Sequence, residues 1–396
     1  MAQNGTSVPV EEEKIKTNGK SPVKEEKSEE KKESAPEKIV SGSSSGDEKP
    51  KKVTPLKIEL ASDKDALKKL KLVVVAYSHV EREWFPTEEA YHAEVEVEER
   101  AGEVVEAIKK LGIEVKAQPG NQYFLTNLLV DQPSLVVNLV DTLKGKDRLQ
   151  TSVPAALELS NFTYTGAGME GMVIGNDRNL TKRLLVAYDI PTPTFQYIRR
   201  TGTFVLEELG LPLIVKLNES GGSVGIDDNA VKETVKDAQK QVDDLISTYK
   251  IPVIVERFVD GTEITVVVFD DGQKCHVLMG EKIFRKKPDG KHNFTSIKSY
   301  DDPHSYKFKK VEDDPLRMKI EKLAVRAFNG LGHKDYAKFD VRVDDSTNTP
   351  YFTDSNPNTA FGPDPGLPFT EVCKLHGISF EDILASLLSK YAKQMK

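Results

Sequence analysis

The sequence predicts an α/β protein in which an open, mainly parallel sheet precedes a second half built from antiparallel hairpins. Two local patterns carry that reading. Leu72-Val73-Val74-Val75-Ala76 is a continuous β-branched run with no polar alternation, as a strand buried on both faces requires, and a helical stretch and a further short strand follow it. After Ile190-Pro191-Thr192-Pro193, where proline forbids helix, short apolar strands are instead separated by glycine-rich loops and tight turns.

Residues 1–55 are rich in Lys, Glu, Ser, Gly and Pro and nearly devoid of large apolar side chains. Such a segment cannot bury enough surface to offset its ordering entropy, so a disordered tail is expected, serving as a spacer or a docking segment. An N-terminal α/β domain is expected over 56–175. Within it, Glu94 to Leu111 reads as a helix ending at Gly112, with strands at 113–115 and 135–139. A central unit, 176–259, holds a helix over 179–188 and strands at 213–216 and 253–256. A C-terminal unit, 260–396, opens with an Asp260-Gly261 turn that is expected to fold 253–256 back into a hairpin with 263–269.

Bulk properties exclude several classes. The 396-residue chain carries a formal net charge of -7 and shows no basic face, which argues against nucleic-acid binding. Its two cysteines, Cys275 and Cys373, are far apart and lack metal-ligand spacing. No apolar run approaches the roughly 20 residues of a membrane helix, and residues 1–10 carry no secretory pattern, so a cytoplasmic protein without membrane partners is expected.

The segment from Tyr336 to Asn356 is the most informative. Alternation along Tyr336 to Asp344 places Lys338, Asp340 and Arg342 on one strand face and Phe339, Val341 and Val343 on the other. A turn near residue 347 returns the chain, so that Asp354 and Asn356 share a face and Asp340 lies opposite Asp354. Two opposed carboxylates repel, and a cation between them resolves the conflict. Mg2+ suits such an oxygen-only set of two carboxylates and one amide, with Mn2+ as a substitute. An ordinary solvated hairpin is the alternative.

Two further segments concern phosphate and a purine. Lys216 closes the apolar strand Leu213 to Val215 and is followed by Glu219-Ser220-Gly221-Gly222-Ser223-Val224-Gly225, whose glycines allow several N–H groups to converge on an anion. Glu256-Arg257-Phe258-Val259 then offers main-chain donors and acceptors beside apolar side chains, as an adenine ring needs, with Glu263 placed to accept from ribose hydroxyls.

In order and spacing these residues resemble the ATP-grasp superfamily, and within it the D-alanine–D-alanine ligase-like branch, from about Leu70 to the C-terminus. The resemblance implies the ATP-grasp fold and an ATP-dependent carboxylate–amine ligase that forms a peptide-type bond between amino acids through an acyl phosphate. It implies that Lys216, Arg178 and Lys298 contact ATP, that Ser223 and its loop close over the phosphates, that Arg257 and Val259 meet adenine through their backbones, and that Glu256 and Glu263 complete the pocket. Lys338 would stabilise the tetrahedral intermediate, Glu81 would hold the first substrate's amino group, and Asp340, Asp354 and Asn356 would bind the metal. Gly222 replaces a family serine, and Pro357 to Pro363 departs from the family's second-substrate segment. Partners are therefore small carboxylate and amine substrates, with a homodimer left open. A small-molecule kinase and a non-catalytic ATP-binding regulator are the alternative readings.

Overall fold

The computed structural model describes residues 58–285, 293–302, 304–364 and 366–395; the expected tail lies outside them. The chain runs through α1 (Lys64–Leu67), β1 (Leu72–Tyr77), α2 (Glu88–His92), α3 (Val97–Lys110), β2 (Glu114–Pro119), α4 (Phe124–Asp131) and β3 (Leu135–Leu139). The three strands form a parallel sheet in the order β2-β1-β3. The unbroken apolar run of β1 is explained by its two buried faces: Val73 and Val75 pack with Ala101, Val104 and Ile108 of α3, while Val74 and Ala76 pack with Phe124 and Leu128 of α4. The helix expected from residue 94 starts at Val97, and residues 93–96 form turns instead.

Helices α5 (Ser152–Leu159), α6 (Met169–Gly175) and α7 (Arg178–Ala187) lead to a second sheet. The Asp177 side chain starts α7 by accepting the Leu180 N–H, which sets Arg178 in the first turn. Strands β4 (Phe195–Ile198), β5 (Leu213–Leu217), β6 (Val231–Lys232) and β7 (Val253–Arg257) pair antiparallel in the order β4-β7-β5-β6. Helix α8 (Val235–Tyr249) buries Ala238, Val242, Leu245 and Ile246 at helical spacing beside Val215 and Val255 of this sheet.

The third sheet is antiparallel and five-stranded, β10-β9-β8-β11-β12. It comprises β8 (Gly261–Asp270), β9 (Cys275–Phe284), β10 (Tyr306–Lys310), β11 (Tyr336–Asp344) and β12 (Thr349–Asn356), with α9 (Lys298–Asp301) before β10 and α10 (Asp314–Gly330) after it. Helices α11 (Pro368–Leu375) and α12 (Phe380–Ala392) close the chain; Phe369, Leu384 and Leu387 share a core with β1 and α3. The expected hairpin at Asp260-Gly261 does not form. Strands β7 and β8 belong to different sheets, so residues 258–260 are a crossover. Gly261 permits it: a Cβ there would lie 2.0 Å from the Val343 carbonyl oxygen, closer than any side chain allows. Among the described residues, no helix is long and apolar enough to cross a membrane.

Candidate active site

A cavity of about 1510 Å³ is walled by the second and third sheets, the glycine loop and the turn before α3. Its floor is the β11–β12 hairpin. The register pairs Asp340 with Asp354 and Lys338 with Asn356, as the alternation predicts, and Phe339, Val341 and Val343 enter the core behind. Lys338 donates to Asp340 Oδ2 at 2.6 Å, and Arg178 to Asp354 Oδ2 at 2.7 Å. Burial raises the Asp354 carboxyl, yet Arg178, Lys216 and Lys338 together hold it below the usual carboxylate range. Asp340 Oδ1 is buried and accepts no hydrogen bond. A cation would satisfy that orphaned oxygen, so the donor set fits a hard divalent ion. Among the described residues no three His, Cys, Asp or Glu side chains are grouped so as to hold a metal ion.

Arg178 joins this floor to the glycine loop. Its Nη1 donates to the Leu217 and Ser220 carbonyls, both at 2.8 Å, while its buried Nε has no acceptor. Lys216, 9% exposed at the centre of the four-stranded sheet, lies 3.3 Å from Glu256 Oε2. Lys182 lies at the same distance from the same oxygen. Burial lowers the Lys182 amine to about 8 against the pull of Glu256. One carboxylate thus holds two lysines, and Glu256 Oε1 remains buried without a donor. Sequence reasoning passed over Lys182, although it lies one helical turn beyond Arg178 on α7 and so on the same face.

The glycine loop is docked on residues that precede the second sheet. Gly221 N–H donates to Asp147 Oδ2 at 2.7 Å and Gly225 N–H to Glu89 Oε1 at 2.8 Å. Burial pushes the Asp147 carboxyl up to about 6 despite the Gly221 N–H. Gly222 and Ser223 both have left-handed backbones, at φ 58° and 57°. A Cβ at Gly222 would meet the Ala93 Cβ at 2.9 Å. Gly222→Ala should therefore undock the loop and raise the KM for ATP about tenfold, with Ala93→Gly restoring only the part due to the clash, since the left-handed backbone stays strained; unchanged ATP kinetics in the single variant would refute this docking.

At the crossover, Val259 N–H has no acceptor among the described residues, whereas the Arg257 N–H is committed to the Thr194 carbonyl at 3.0 Å. Arg342 reaches back with Nε to the Val259 carbonyl at 2.6 Å and Nη2 to the Gly261 carbonyl at 2.9 Å, locking the segment to β11. Glu263 is not a free ribose acceptor. Lys282 at 2.8 Å, Arg342 at 3.1 Å, and the Thr295 hydroxyl and N–H occupy its oxygens. Burial opposes its ionisation, but Lys282 and Arg342 prevail and hold the carboxyl down at about 2. Strand alternation had placed Arg342 on the cavity face without a role.

Two expected site residues lie elsewhere. Glu81 does not line the cavity; its half-exposed carboxylate meets His79 at 3.1 Å. Lys298 also does not line it, and its amine extends over the surface 3.6 Å from Asp228. Both were expected from the order and spacing of the resembling segments; the turns that precede α3 bring Glu94 to the cavity. Glu94 is 8% exposed, and burial together with Asp141 and Asp147 raises its carboxyl well above the ordinary range.

The family model described as the D-Ala–D-Ala ligase C-terminus matches residues 184–389. The D-alanine–D-alanine ligase of Herminiimonas arsenicoxydans is 28% identical over 311 residues, covering 77% of this chain and 90% of that protein. The corresponding ligase of a Polaromonas species is 27% identical over 296 residues, covering 73% and 84%. Among solved structures, D-alanine–D-alanine ligase from Bacillus anthracis complexed with ATP superposes with a TM-score of 0.63 at 18% identity, covering 82% of this chain and 98% of that one. The VanG D-Ala:D-Ser ligase from Enterococcus faecalis gives 0.59 at 17%, covering 81% and 99%. These two likenesses concern the fold.

Proposed function

Since the chain belongs to the D-alanine–D-alanine ligase family, an ATP-grasp family of enzymes that use ATP to join amino acids through an amide bond, we propose that its cavity activates an amino-acid carboxylate at the β11–β12 hairpin. The observation that carries this assignment is the convergence of Arg178, Lys216 and Lys338 on the paired carboxylates Asp340 and Asp354.

Adenine would dock on the free Val259 N–H, with the Arg257 carbonyl as the complementary acceptor. Lys216, held by Glu256, would reach the phosphates, and the unpartnered Arg178 Nε would point a donor at the γ-phosphoryl. Asp340, Asp354 and Asn356 would hold Mg2+, which supplies charge neutralisation on the transferring phosphoryl group. A carboxylate oxygen of the first amino acid attacks the γ-phosphorus and ADP leaves, giving an acyl phosphate. The second amino acid's amine then attacks the acyl carbon, loses a proton and expels phosphate. Lys338 faces this centre from β11 and offers its ammonium to the oxyanion of the tetrahedral intermediate. Glu94, beside Asp141 and Asp147, takes the role expected of Glu81 and receives a substrate ammonium, whose charge relieves the crowding of three carboxyl groups.

Incubation with Mg-ATP and D-alanine, then with pools of other amino acids, tests the reading when ADP, free phosphate and product masses are followed together. One phosphate released per condensed dipeptide is expected. A phosphorylated acceptor formed without free phosphate would make the enzyme a kinase.

A further inference from the structure

Helix α3 carries one charged residue in its apolar stripe. Val97, Ala101, Val104 and Ile108 recur at helical spacing on the buried face, and Arg100 falls between them. Arg100 is 9% exposed, makes no ion pair and no side-chain hydrogen bond among the described residues, and lines the cavity. Its Nε is wholly buried without an acceptor. A buried guanidinium without an anion is costly, so such a group persists where a partner arrives from outside. Its position is also constrained: a Cβ at Gly362 would lie 2.7 Å from the Arg100 Cγ and 3.3 Å from its Cδ, so the Arg100 stem rests against bare backbone of the loop after β12. That contact anchors the base of the side chain and leaves the head at the cavity wall.

The second unsatisfied group is close by. Glu94 Oε2 is buried without a hydrogen bond, and the positive charge of Arg100 acts on the Glu94 carboxyl although the two are not paired. An acceptor for an ammonium and a donor for a carboxylate therefore line the same cavity, each with an unsatisfied buried atom. Other carboxylates of α3 and the loop, Glu103 and Asp364, crowd each other: the interaction with Asp364 and burial raise Glu103 to about 7, and Arg100, which forms no ion pair with it, pulls the other way only in part.

Resting on the ligase reading above, we propose that Arg100 is the anchor for a carboxylate that is not the one activated, pairing bidentately with it while Glu94 takes the ammonium of the same or the adjoining substrate. The anion is a carboxylate in either of two places: the α-carboxylate of the amine substrate, or a side-chain carboxylate on the acyl donor. Guanidinium and carboxylate match in plane and in donor spacing, which a lysine does not reproduce. Arg100 touches no reacting atom, so it sets specificity and position.

Two substrate pairs that differ by one carboxylate separate the sources: D-alanine against D-alaninamide as acceptor, and D-glutamate against D-glutamine as donor. Products are resolved by mass and kcat/KM is measured for wild type, Arg100→Met and Arg100→Lys. Methionine keeps the stem that packs on Gly362 and removes the charge. The wild type should favour the carboxylate member of one pair by about 100-fold, Arg100→Met should erase that preference, and Arg100→Lys should keep part of it, all with the KM for ATP unchanged. The pair that responds names the source. A merely structural arginine would instead lower Tm and slow every substrate alike. No carboxylate preference in the wild type, or one that survives Arg100→Met, overturns the assignment. Should the wild type join none of these compounds, those substrates fail the ligase reading separately, and calorimetric binding of the same four compounds still decides: binding that depends on the carboxylate and on Arg100 supports the anchor, and equal binding by wild type and Arg100→Met refutes it.

Discussion

Asp354→Ala should lower ATP turnover by about a thousandfold or more while leaving the protein folded. The expectation follows from charge. Asp354 is the group on which Arg178, Lys216 and Lys338 all act, and it stands opposite Asp340 across the hairpin. Removing it halves the anionic charge available to a divalent ion and frees the Arg178 guanidinium, which then keeps only the Leu217 and Ser220 carbonyls. The cost in stability is smaller, about 1–3 kcal/mol, because Arg178 retains those two acceptors. Asp354→Glu is the informative companion: it keeps the carboxylate and should keep measurable activity. Turnover measured against magnesium concentration, with Tm as the folding control, checks both. Wild-type activity in Asp354→Ala would remove the metal assignment, and a collapse of Tm would show that Asp354 is chiefly a structural partner of Arg178.

Legibility followed the range of the interaction. Strand character, the parallel first sheet and the Asp340–Asp354 register depend on side-chain period and turn position, which are local, and the sequence displays them. The fate of β7 and β8 was not local. An Asp-Gly pair between two apolar runs reads as a hairpin, yet Arg342, over 80 residues away, binds the carbonyls on either side of Asp260 and draws the segment into another sheet. The position of Glu81 was not local either: α2 and the turns after it separate it from α3, and the carboxylate that lines the cavity is Glu94. Glu263 shows a third limit. Its strand position was visible, but two cations from β9 and β11 already claim it, and no local pattern reveals which acid a distant lysine will choose. Arg100 was accessible, since a charged residue inside the apolar stripe of an amphipathic helix is itself a signal.

That claim on Glu263 should make Glu263→Gln one of the most destabilising single changes in the third sheet, by about 3–5 kcal/mol at pH 7, because Lys282 and Arg342 would both lose the buried carboxylate they contact. The pH dependence distinguishes this from ordinary loss of packing. The carboxyl titrates at about 2 in the fold against an ordinary 4.5, so the folded state binds its proton later than the unfolded state does. The contribution is therefore complete above about pH 4.5, shrinks as the pH falls, and is gone below about 2; the interval between those values corresponds to roughly 3 kcal/mol. Glutamine cannot titrate. The stability gap between wild type and Glu263→Gln should accordingly narrow steadily from pH 5 towards pH 3 in urea titrations. A gap constant across that range would mean that the ion pairs contribute nothing beyond shape. The same network binds the Val259 and Gly261 carbonyls through Arg342, so loss of Glu263 should also loosen the crossover that presents the Val259 N–H. An increase in the KM for ATP should appear at pH 7 even under conditions where the variant is fully folded, and it is this coupling of a buried acid to the backbone proposed to meet adenine that a purely structural role would not produce.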